Sequence, residues 1–360
     1  MKIAVIGTRG FPDVQGGVEK HCEGLYSSMP EDFSITVFRR KAFINKNASK
    51  RYKQIRFIDL FSTKIKGFES FFHSFLATVY CIFYRQDIVH VHNIGPGIFI
   101  PLLKLFRHKV VLTYHSTNYE HKKWNWFGKL ILKIGEKFAL GGADIIIFVN
   151  KAQLKKVSKK IQKKSCYIPN GVRLEGRSYQ TVFLEKYNLV PKKYILAVGR
   201  FVPEKNFDQL IRAFTAVQDK KGYRLVIAGD ADFADSYSVE LKKMAQKNNV
   251  VLTGFIKGDE LQTVLNNASV FVLPSSHEGL PISLLEAMSY GLPAIVSDIP
   301  ANKEVNLPTD SYFRVNEESE LTEKLQQHIL QGYQPVTYDM TPYDWDKIAE
   351  QTIEVYQSVK

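Results

Sequence analysis

Cysteine is scarce in this chain, and nothing resembling a secretory leader opens the sequence. Only Cys22, Cys81 and Cys166 occur among the 360 residues, and they form no C-x-x-C pair. This set argues against a disulfide framework or a zinc site, and it predicts a reducing, cytoplasmic compartment. Because Met1 leads directly into the strand-like residues 2–6, we expect no secretory leader.

Long apolar runs are also lacking. The most apolar segment, residues 68–84, still carries Glu69 and His73, and a membrane-spanning helix needs about 20 apolar residues. We predict a buried helix there, with a helix at a membrane interface as the alternative. No repeat or low-complexity tract is present, and 45% hydrophobic with 24% charged residues is typical of an ordinary globular protein.

Charge is spread unevenly along the chain. Residues 1–180 contain 31 Lys and Arg against 12 Asp and Glu, and residues 181–360 contain 18 against 24, for a net charge of +13. Basic residues are densest in residues 39–56 and 151–164. They indicate either a solvated surface or attraction to an anionic membrane or a phosphate-bearing lipid acceptor. No nucleic-acid motif accompanies the charge, so nucleic acid is not an expected partner.

Short runs rich in Val and Ile alternate with longer helix-like segments. Such strands are typical of parallel sheets covered by helices on both faces, so we predict an α/β fold with two Rossmann-like, doubly wound domains. A turn at Pro169-Asn170-Gly171 and a polar stretch after it predict the boundary near residues 171–180. The predicted strands are residues 3–6, 35–38, 87–92, 110–114, 144–149, 194–198, 223–228, 250–252, 270–273 and 294–296.

Glycines follow the first predicted strand, in Gly7-Thr8-Arg9-Gly10 and Gly16-Gly17-Val18-Glu19. Glycine lets a backbone approach a phosphate or sugar closely, and a helix that begins near Gly17 adds partial positive charge at its N-terminus. The spacing is not the G-x-G-x-x-G dinucleotide fingerprint. The alternative is a pair of tight turns at a strand–helix joint.

Two cations follow the strand predicted at residues 194–198. Gly199-Arg200 ends that strand, and Pro203-Glu204-Lys205-Asn206 opens a helix. Arg200 and Lys205 would both project at the carboxyl edge of a parallel sheet, where open α/β folds bind ligands. A guanidinium fork and an ammonium beside a helix N-terminus suit a diphosphate. Ordinary surface charge is the alternative.

Two carboxylates follow the strand predicted at residues 270–273. Glu278 lies on the loop, Pro281 suits the first turn of the next helix, and Glu286 lies within that helix. The two acids could accept hydrogen bonds from hydroxyls at two ends of a ligand; an amphipathic helix with incidental acids is the alternative. His115, which follows another strand, is either a structural histidine or a member of the same site.

In this order, the glycine loop, the Arg200/Lys205 pair and the Glu278/Glu286 pair resemble the GT-B glycosyltransferases of family 4 over nearly the whole chain. The first half, through Gly7-Thr8-Arg9-Gly10 and residues 89–93 (VHVHN), also resembles bacterial polysaccharide glycosyltransferases that include rhamnosyltransferases. The resemblance implies two domains facing a central cleft. Residues 1–175 would be the acceptor side, residues 176–340 would bind the nucleotide sugar, and a helix in residues 341–360 would pack back on the first domain.

The family's roles carry over to matching positions. The resemblance implies that Arg200 and Lys205 neutralise the donor diphosphate, that Glu278 holds the donor sugar and that His115 lies near that sugar. The other donor-binding positions it implies are Gly16, Gly17, Gly254, Phe255, Ile256, Gly279, Leu280 and Glu286. Of these, Glu286 would hold the ribose hydroxyls, and the loop at residues 254–256 would meet the nucleobase through backbone groups.

Two positions depart from the family pattern. Ser116 and Thr117 follow His115, where many relatives carry an acid, and this bears on the identity of the donor sugar. Arg173 ends the turn that reads Asn-Gly-Val-Asp in the family. Neither departure touches the residues implied for the diphosphate or the ribose.

The resemblance implies a retaining transfer of a hexosyl or deoxyhexosyl group. Arg200 and Lys205 would stabilise the departing diphosphate, and we identify no Asp-x-Asp pair that would suggest a metal-bound diphosphate. We therefore expect a metal-independent enzyme. No cofactor is expected beyond a UDP-, dTDP- or GDP-linked sugar, and the acceptor would be a saccharide or a lipid-diphosphate-linked saccharide of a bacterial cell-surface polysaccharide. The main alternative is a non-catalytic GT-B scaffold or sugar-binding subunit. An NAD-dependent oxidoreductase lacks its fingerprint here, and a nucleotide-sugar 2-epimerase shares the scaffold.

The expected location is cytoplasmic, with peripheral contact on the inner face of the plasma membrane. Trp124 and Trp126, beside Lys122 and Lys123, are candidates for contact with an acceptor or a membrane. Packing within a loop is the alternative for both tryptophans.

Overall fold

The computed structural model describes residues 1–44, 52–63, 68–117, 126–173 and 181–359. The chain divides into two compact units, the first formed by Met1–Gly171 with Pro342–Lys360 and the second by Val172–Thr341. Each unit contains a parallel β-sheet, which agrees with the apolar strands of the sequence.

The first unit contains a seven-stranded parallel sheet in the order β3-β2-β1-β4-β5-β6-β7. Its strands are β1 (Lys2–Ile6), β2 (Ser34–Arg40), β3 (Ile55–Leu60), β4 (Ile88–His92), β5 (Val110–Tyr114), β6 (Ile145–Phe148) and β7 (Ser165–Tyr167). From the central pair β1 and β4 the chain order runs outward in both directions. This pair is therefore the switch point of the sheet, beside which doubly wound folds bind ligands.

Helices connect these strands and cover the sheet. They are α1 (Gly17–Ser27), α2 (Phe68–Phe83), α3 (Ile100–Leu105), α4 (Trp126–Gly142), α5 (Lys151–Lys156) and α6 (Lys159–Gln162). Along β1 the side chains alternate between two cores, with Ile3 and Val5 on one face and Ala4 and Ile6 on the other. Both faces are buried, which explains why the strand reads as one apolar run.

The second unit contains a six-stranded parallel sheet in the order β10-β9-β8-β11-β12-β13. Its strands are β8 (Tyr194–Val198), β9 (Arg224–Ala228), β10 (Val251–Gly254), β11 (Val270–Leu273), β12 (Ala294–Ser297) and β13 (Tyr312–Phe313). Its helices are α7 (Thr181–Lys186), α8 (Phe207–Ala216), α9 (Ser236–Lys247), α10 (Gly258–Asn267), α11 (Ile282–Ser289), α12 (Pro300–Lys303) and α13 (Glu318–Gln331). The switch point of this sheet lies between β8 and β11.

The last helix, α14 (Trp345–Val359), belongs to the first unit and packs against α1. Its Trp345 covers Gly24 so closely that a Cβ on that glycine would lie 2.2 Å from the indole. Trp345, Ile348 and Tyr356 are part of the same core as β1. Residues that follow the second unit in sequence therefore complete the core of the first.

The helix predicted at residues 68–84 is buried on one face only. Along α2, His73, Ala77 and Cys81 are buried, whereas Phe71 and Phe75 are 42% and 40% exposed. Among the described residues, no helix combines the length and the hydropathy needed to cross a bilayer. The predicted boundary falls partly on residues 174–180, and these lie outside the described residues.

Candidate functional site

Two loops meet at the switch point of the second sheet. One follows β8 and contains Arg200 and Lys205; the other follows β11 and contains Glu278. The backbone N–H of Ser276 donates to the carbonyl of Glu204 (2.9 Å), and Asn206 Nδ2 donates to the carbonyl of Pro274 (3.0 Å). These bonds tie the two loops together and hold their side chains in fixed positions.

Lys205 and Glu278 form an ion pair across these loops. Lys205 Nζ lies 2.5 Å from Glu278 Oε1, and the side chains are only 17% and 13% exposed. Gly199 leaves room for the lysine, since a Cβ there would lie 3.1 Å from Lys205 Cε. The structure thus brings together a cation and an acid that are 73 positions apart in sequence.

Arg200 lies on the same β8 loop and is held by an acid that the sequence analysis did not single out. Its Nη1 donates to Asp232 Oδ2 at 2.9 Å, and its side chain is 35% exposed. Asp230 pairs with Lys242 at 2.7 Å. The expectation that the chain lacks an Asp-x-Asp pair is wrong, because Asp230-Ala231-Asp232 is such a pair, two residues after the end of β9.

Glu286 lies on α11, which starts directly after the Glu278 loop, and its side chain is half-buried. The helix begins at Ile282 and rises about 1.5 Å per residue, so Glu286 lies roughly 6 Å along the helix axis from its first residue. Gly279 is half-buried and Leu280 is buried at 3% exposure. Leu280 therefore anchors the loop in the core, while the backbone beside Glu278 keeps partial access to solvent.

The loop predicted for the nucleobase follows β10. Gly254 has a φ of +72°, which favours glycine, and its carbonyl accepts a hydrogen bond from the N–H of Gly229 at 2.8 Å. Phe255 is 44% exposed and Ile256 is buried at 6%. Of the two side chains that follow this glycine, only that of Phe255 is open to a ligand.

The glycine loop lies in the first unit, after β1, and its two predicted glycines differ in surroundings. Gly16 has a φ of +151° and precedes α1, and a Cβ there would lie 2.0 Å from Glu19 Oε2. Glu19 is buried and paired with Arg9 at 3.3 Å. Gly17 is exposed, and an added Cβ would meet no atom within 4 Å. Space for a ligand is therefore open at Gly17, whereas Gly16 fits tightly against the Arg9–Glu19 pair.

His115 belongs to a cluster of buried histidines in the first unit. It is 7% exposed, and its Nε2 lies 3.1 Å from His92 Nδ1. His92 Nε2 lies 2.8 Å from the Tyr26 hydroxyl, and His21 Nδ1 lies 2.9 Å from Asn170 Oδ1. Sequence reasoning singled out His115 alone, because nothing in the spacing relates residues 21, 92 and 115.

Burial sets the protonation of this cluster. It lowers the pKa of His21 to about 4, with an opposing contribution from the Asn170 bond. Burial and the neighbouring histidines hold the pKa values of His92 and His115 well below the ordinary range. All three imidazoles are therefore neutral at pH 7.

Of the predicted catalytic residues, the structure brings Arg200, Lys205 and Glu278 to one edge of one sheet. His115 and the glycine loop lie at the carboxyl ends of strands in the other unit. Two matches with known families account for most of the chain: residues 15–175 match glycosyltransferase family 4, and residues 181–336 match the glycosyl transferases group 1. The chain belongs to the family 4 glycosyltransferases of the GT-B type.

Relatives of this family 4 glycosyltransferase include proteins of archaea and bacteria. It is 30% identical over 179 residues to an uncharacterized glycosyltransferase of Methanocaldococcus jannaschii, covering 46% of this chain and 45% of the relative. It is 25% identical over 242 residues to the O-antigen chain mannosyltransferase B of Escherichia coli, covering 64% and 60%. The chain spans 45 to 59% of the length of the first three curated relatives it matches.

Solved structures agree with the GT-B fold. Sucrose-phosphate synthase from Thermosynechococcus elongatus superposes with a TM-score of 0.76 at 20% identity, covering 99% of this family 4 chain and 98% of the other. At that identity the likeness is one of fold.

Proposed function

We propose that this protein transfers a sugar, with retention of anomeric configuration, from a nucleoside-diphosphate sugar to a saccharide or lipid-linked acceptor. The observation that carries the proposal is the contact between Lys205 and Glu278 at the switch point of the second sheet. In a nucleotide sugar the sugar is bonded directly to the distal phosphate. A cation for the phosphate and an acid for the sugar hydroxyls must therefore lie side by side, as these two do.

The proposed reaction breaks the bond between the anomeric carbon and the distal phosphate oxygen. The acceptor oxygen attacks from the same face, and its proton passes to the departing phosphate. Negative charge develops on the diphosphate, and Arg200 and Lys205 stabilise it electrostatically. No metal is required in this scheme, because the two cations supply the charge that a metal would otherwise provide.

The proposed setting is the cytoplasmic assembly of a bacterial cell-surface polysaccharide. Supporting this are the family and the E. coli relative, which is a mannosyltransferase of an O-antigen chain. The donor base is proposed to be uridine, thymidine or guanosine, read beside Phe255 by backbone groups of residues 254–256. Donor sugars of the hexose or deoxyhexose class fit the proposal.

A thermal-shift experiment tests the donor site. The protein is screened with UDP, dTDP, GDP and NAD, and a diphosphate at about 100 times its Kd should add roughly 2.7 kcal/mol of stability. The Arg200→Ala and Lys205→Ala variants should lose this shift. Arg212→Ala is a matched control, since Arg212 also pairs with acids in the second unit but on α8.

Three results would overturn the site. These are stabilisation by NAD alone, no stabilisation by any nucleotide, or an unchanged shift in Arg200→Ala and Lys205→Ala. A second measurement, a mass-spectrometric screen of sugar donors with lipid-linked acceptors, distinguishes a non-catalytic scaffold from an enzyme. A scaffold would bind a nucleoside diphosphate but would neither hydrolyse any donor nor transfer its sugar. NMR of the product would report the anomeric configuration.

We further propose that the first unit docks on an anionic membrane through α2, α3 and α4, which pack together. On α4, Leu130, Ile134 and Phe138 are 39–45% exposed and four residues apart, so they form one stripe. Exposed lysines at positions 129, 133 and 137 form the adjacent row. An apolar stripe flanked by lysines is typical of helices that lie in a membrane interface.

Aromatic side chains extend this surface onto α2. Phe71 and Phe75 are exposed and pack against Phe99, with ring centroids 5.0 and 5.9 Å away. Trp126 at the start of α4 is 77% exposed, whereas Trp124 lies outside the described residues. Anionic lipid is the proposed occupant because exposed lysines stand beside the exposed apolar side chains of α4.

Vesicle sedimentation tests the docking surface. The protein should bind vesicles containing phosphatidylglycerol and bind pure phosphatidylcholine vesicles far less. Reversing Lys129, Lys133 and Lys137 to Glu should weaken binding by at least about 100-fold, from roughly 1 kcal/mol per lysine. A matched control reverses the exposed lysines of α5 and α6 (K155E/K156E/K159E). Equal losses in both triple variants would contradict a specific docking face.

A further inference from the structure

Three of the buried histidines in the first unit converge on one point. A ring nitrogen from each of His21, His92 and His115 lies within 4.8 Å of one from each of the others, and all three residues are buried. They come from α1 and from the ends of β4 and β5. We propose that His21, His92 and His115 bind one divalent transition-metal ion, with Zn²⁺ as the best match to three imidazole ligands.

The nitrogen that His21 offers is identified by its hydrogen bonding. Its Nδ1 is bonded to Asn170 Oδ1, and because an amide oxygen only accepts, Nδ1 carries the proton. Nε2 is then left with a lone pair, and it is buried without a hydrogen-bond partner. A buried acceptor without a partner costs free energy, and coordination of a cation would satisfy it. Asn170 would act as the outer partner that orients a ligating histidine.

His92 has a similar outer partner. Its Nε2 lies 2.8 Å from the Tyr26 hydroxyl, which leaves Nδ1 as the inner nitrogen. That Nδ1 lies 3.1 Å from His115 Nε2. Two nitrogens bound to one tetrahedral Zn²⁺ are about 3.3 Å apart, given Zn–N bonds of about 2.0–2.1 Å. The spacing of this pair thus already fits two ligands of one ion.

The hydrogen bonding of the cluster suits metal binding. An imidazole ligates through a ring nitrogen that carries no proton, and a neutral imidazole has one such nitrogen. His115 would bind through Nε2 and carry its single proton on Nδ1, so no proton need leave the site. The site lies in the first unit, and Arg200 and Lys205 lie in the second. Diphosphate binding by those cations is therefore a separate property.

Calorimetry and Co²⁺ absorption test the site on the full chain after chelator treatment. We expect one Zn²⁺ per chain, and Co²⁺ should give the intense visible bands of a four-coordinate site. His21→Gln should weaken Zn²⁺ binding by more than about 100-fold, and Asn170→Ala should weaken it by about 10–100-fold. His73→Gln, at a fully buried histidine elsewhere in this unit, should bind as the parent does.

The proposal is overturned if the unaltered protein binds no Zn²⁺, or if His21→Gln binds it as tightly as His73→Gln. Zinc K-edge absorption on the unaltered protein avoids any folding defect of a variant, and fewer than three imidazoles would also overturn it. Inhibition of sugar transfer by Zn²⁺ is a consequence that rests on the proposed function. An imidazole of His115 that binds Zn²⁺ could no longer contact the donor sugar. If Zn²⁺ binds but does not inhibit transfer, the metal site stands and only the proposed contact of His115 with the donor sugar is refuted.

Discussion

At the scale of single residues, Gly16 and Gly17 differ in whether the fold can accommodate an added Cβ. A Cβ at Gly16 would collide with Glu19, whereas one at Gly17 would enter open space. We expect Gly16→Ala to destabilise the protein by about 1–3 kcal/mol. Gly17→Ala should leave stability unchanged yet lower kcat/KM at least about tenfold if substrate approaches there. Gly141→Ala, also in open space, is the control for both measurements.

Asp232 tests whether a metal has any part in holding the diphosphate. Because its carboxylate is paired with Arg200, we expect Asp232→Asn to keep transferase activity within about threefold and to bind UDP or its analogue no more weakly. EDTA should not lower the initial rate of the parent. Loss of activity in Asp232→Asn together with rescue of EDTA-treated protein by Mn²⁺ or Mg²⁺ would show instead that Asp230 and Asp232 hold a metal.

At the scale of elements, α14 is held to the first unit through Trp345. This side chain is 4% exposed and covers Gly24 and Gly171. Trp345→Ala should therefore cost about 3–5 kcal/mol of unfolding free energy. Urea unfolding followed by circular dichroism measures it. Trp126→Ala, at an exposed tryptophan, should change the unfolding free energy by less than about 0.5 kcal/mol. Equal effects of the two variants would contradict the packing described.

The interior strands and the edge strand β10 could be predicted from sequence, whereas the edge strands β3, β7 and β13 could not. β1, β4, β5, β8 and β11 are buried on both faces. They read as apolar runs, interrupted only by His90 and His92 in β4 and by Thr113 in β5. β3 mixes Arg56 and Asp59 with apolar residues because it is half-exposed at the sheet edge. β7 and β13 are three and two residues long, too short for any pattern.

The same division applies to the candidate site. Arg200, Lys205 and Glu278 stand directly after strands of the predicted parallel sheet, so their meeting at one edge follows from topology. Asp232 also follows such a strand, so the Asp230-Ala231-Asp232 pair was predictable from the sequence, and the expectation that no such pair is present was wrong. The histidine cluster could not be predicted, because it needs α1, β4 and β5 to be placed to within an ångström.

At the scale of the whole molecule, stability should fall in mild acid. Burial lowers the pKa of His73 to about 3 in the first unit and that of His328 to about 4 in the second. Between pH 6.5 and 4 the unfolded chain binds protons that the folded protein does not. Each histidine then removes up to about 1.4 kcal/mol of stability per pH unit.

Urea midpoints at pH 7 and pH 5 measure this loss, and His328→Gln should show a smaller difference between them than the parent. A parent whose stability is equal at the two pH values would contradict neutral burial of these histidines. These two histidines should not change the stability between pH 7 and pH 8, because there they are neutral in both the folded and the unfolded protein.

Because α14 belongs to the first unit but is synthesised last, the first unit can be completed only after the second has been translated. The ribosome delivers residues 172–341 in one continuous piece, so the second unit can fold as soon as it emerges. The first unit, although synthesised earlier, must wait for Trp345 and Tyr356 to cover Cys22 and Gly24 on α1. The nascent first unit therefore exposes an unfinished core for the whole time that the second is made, and this is the interval in which a chaperone would be needed.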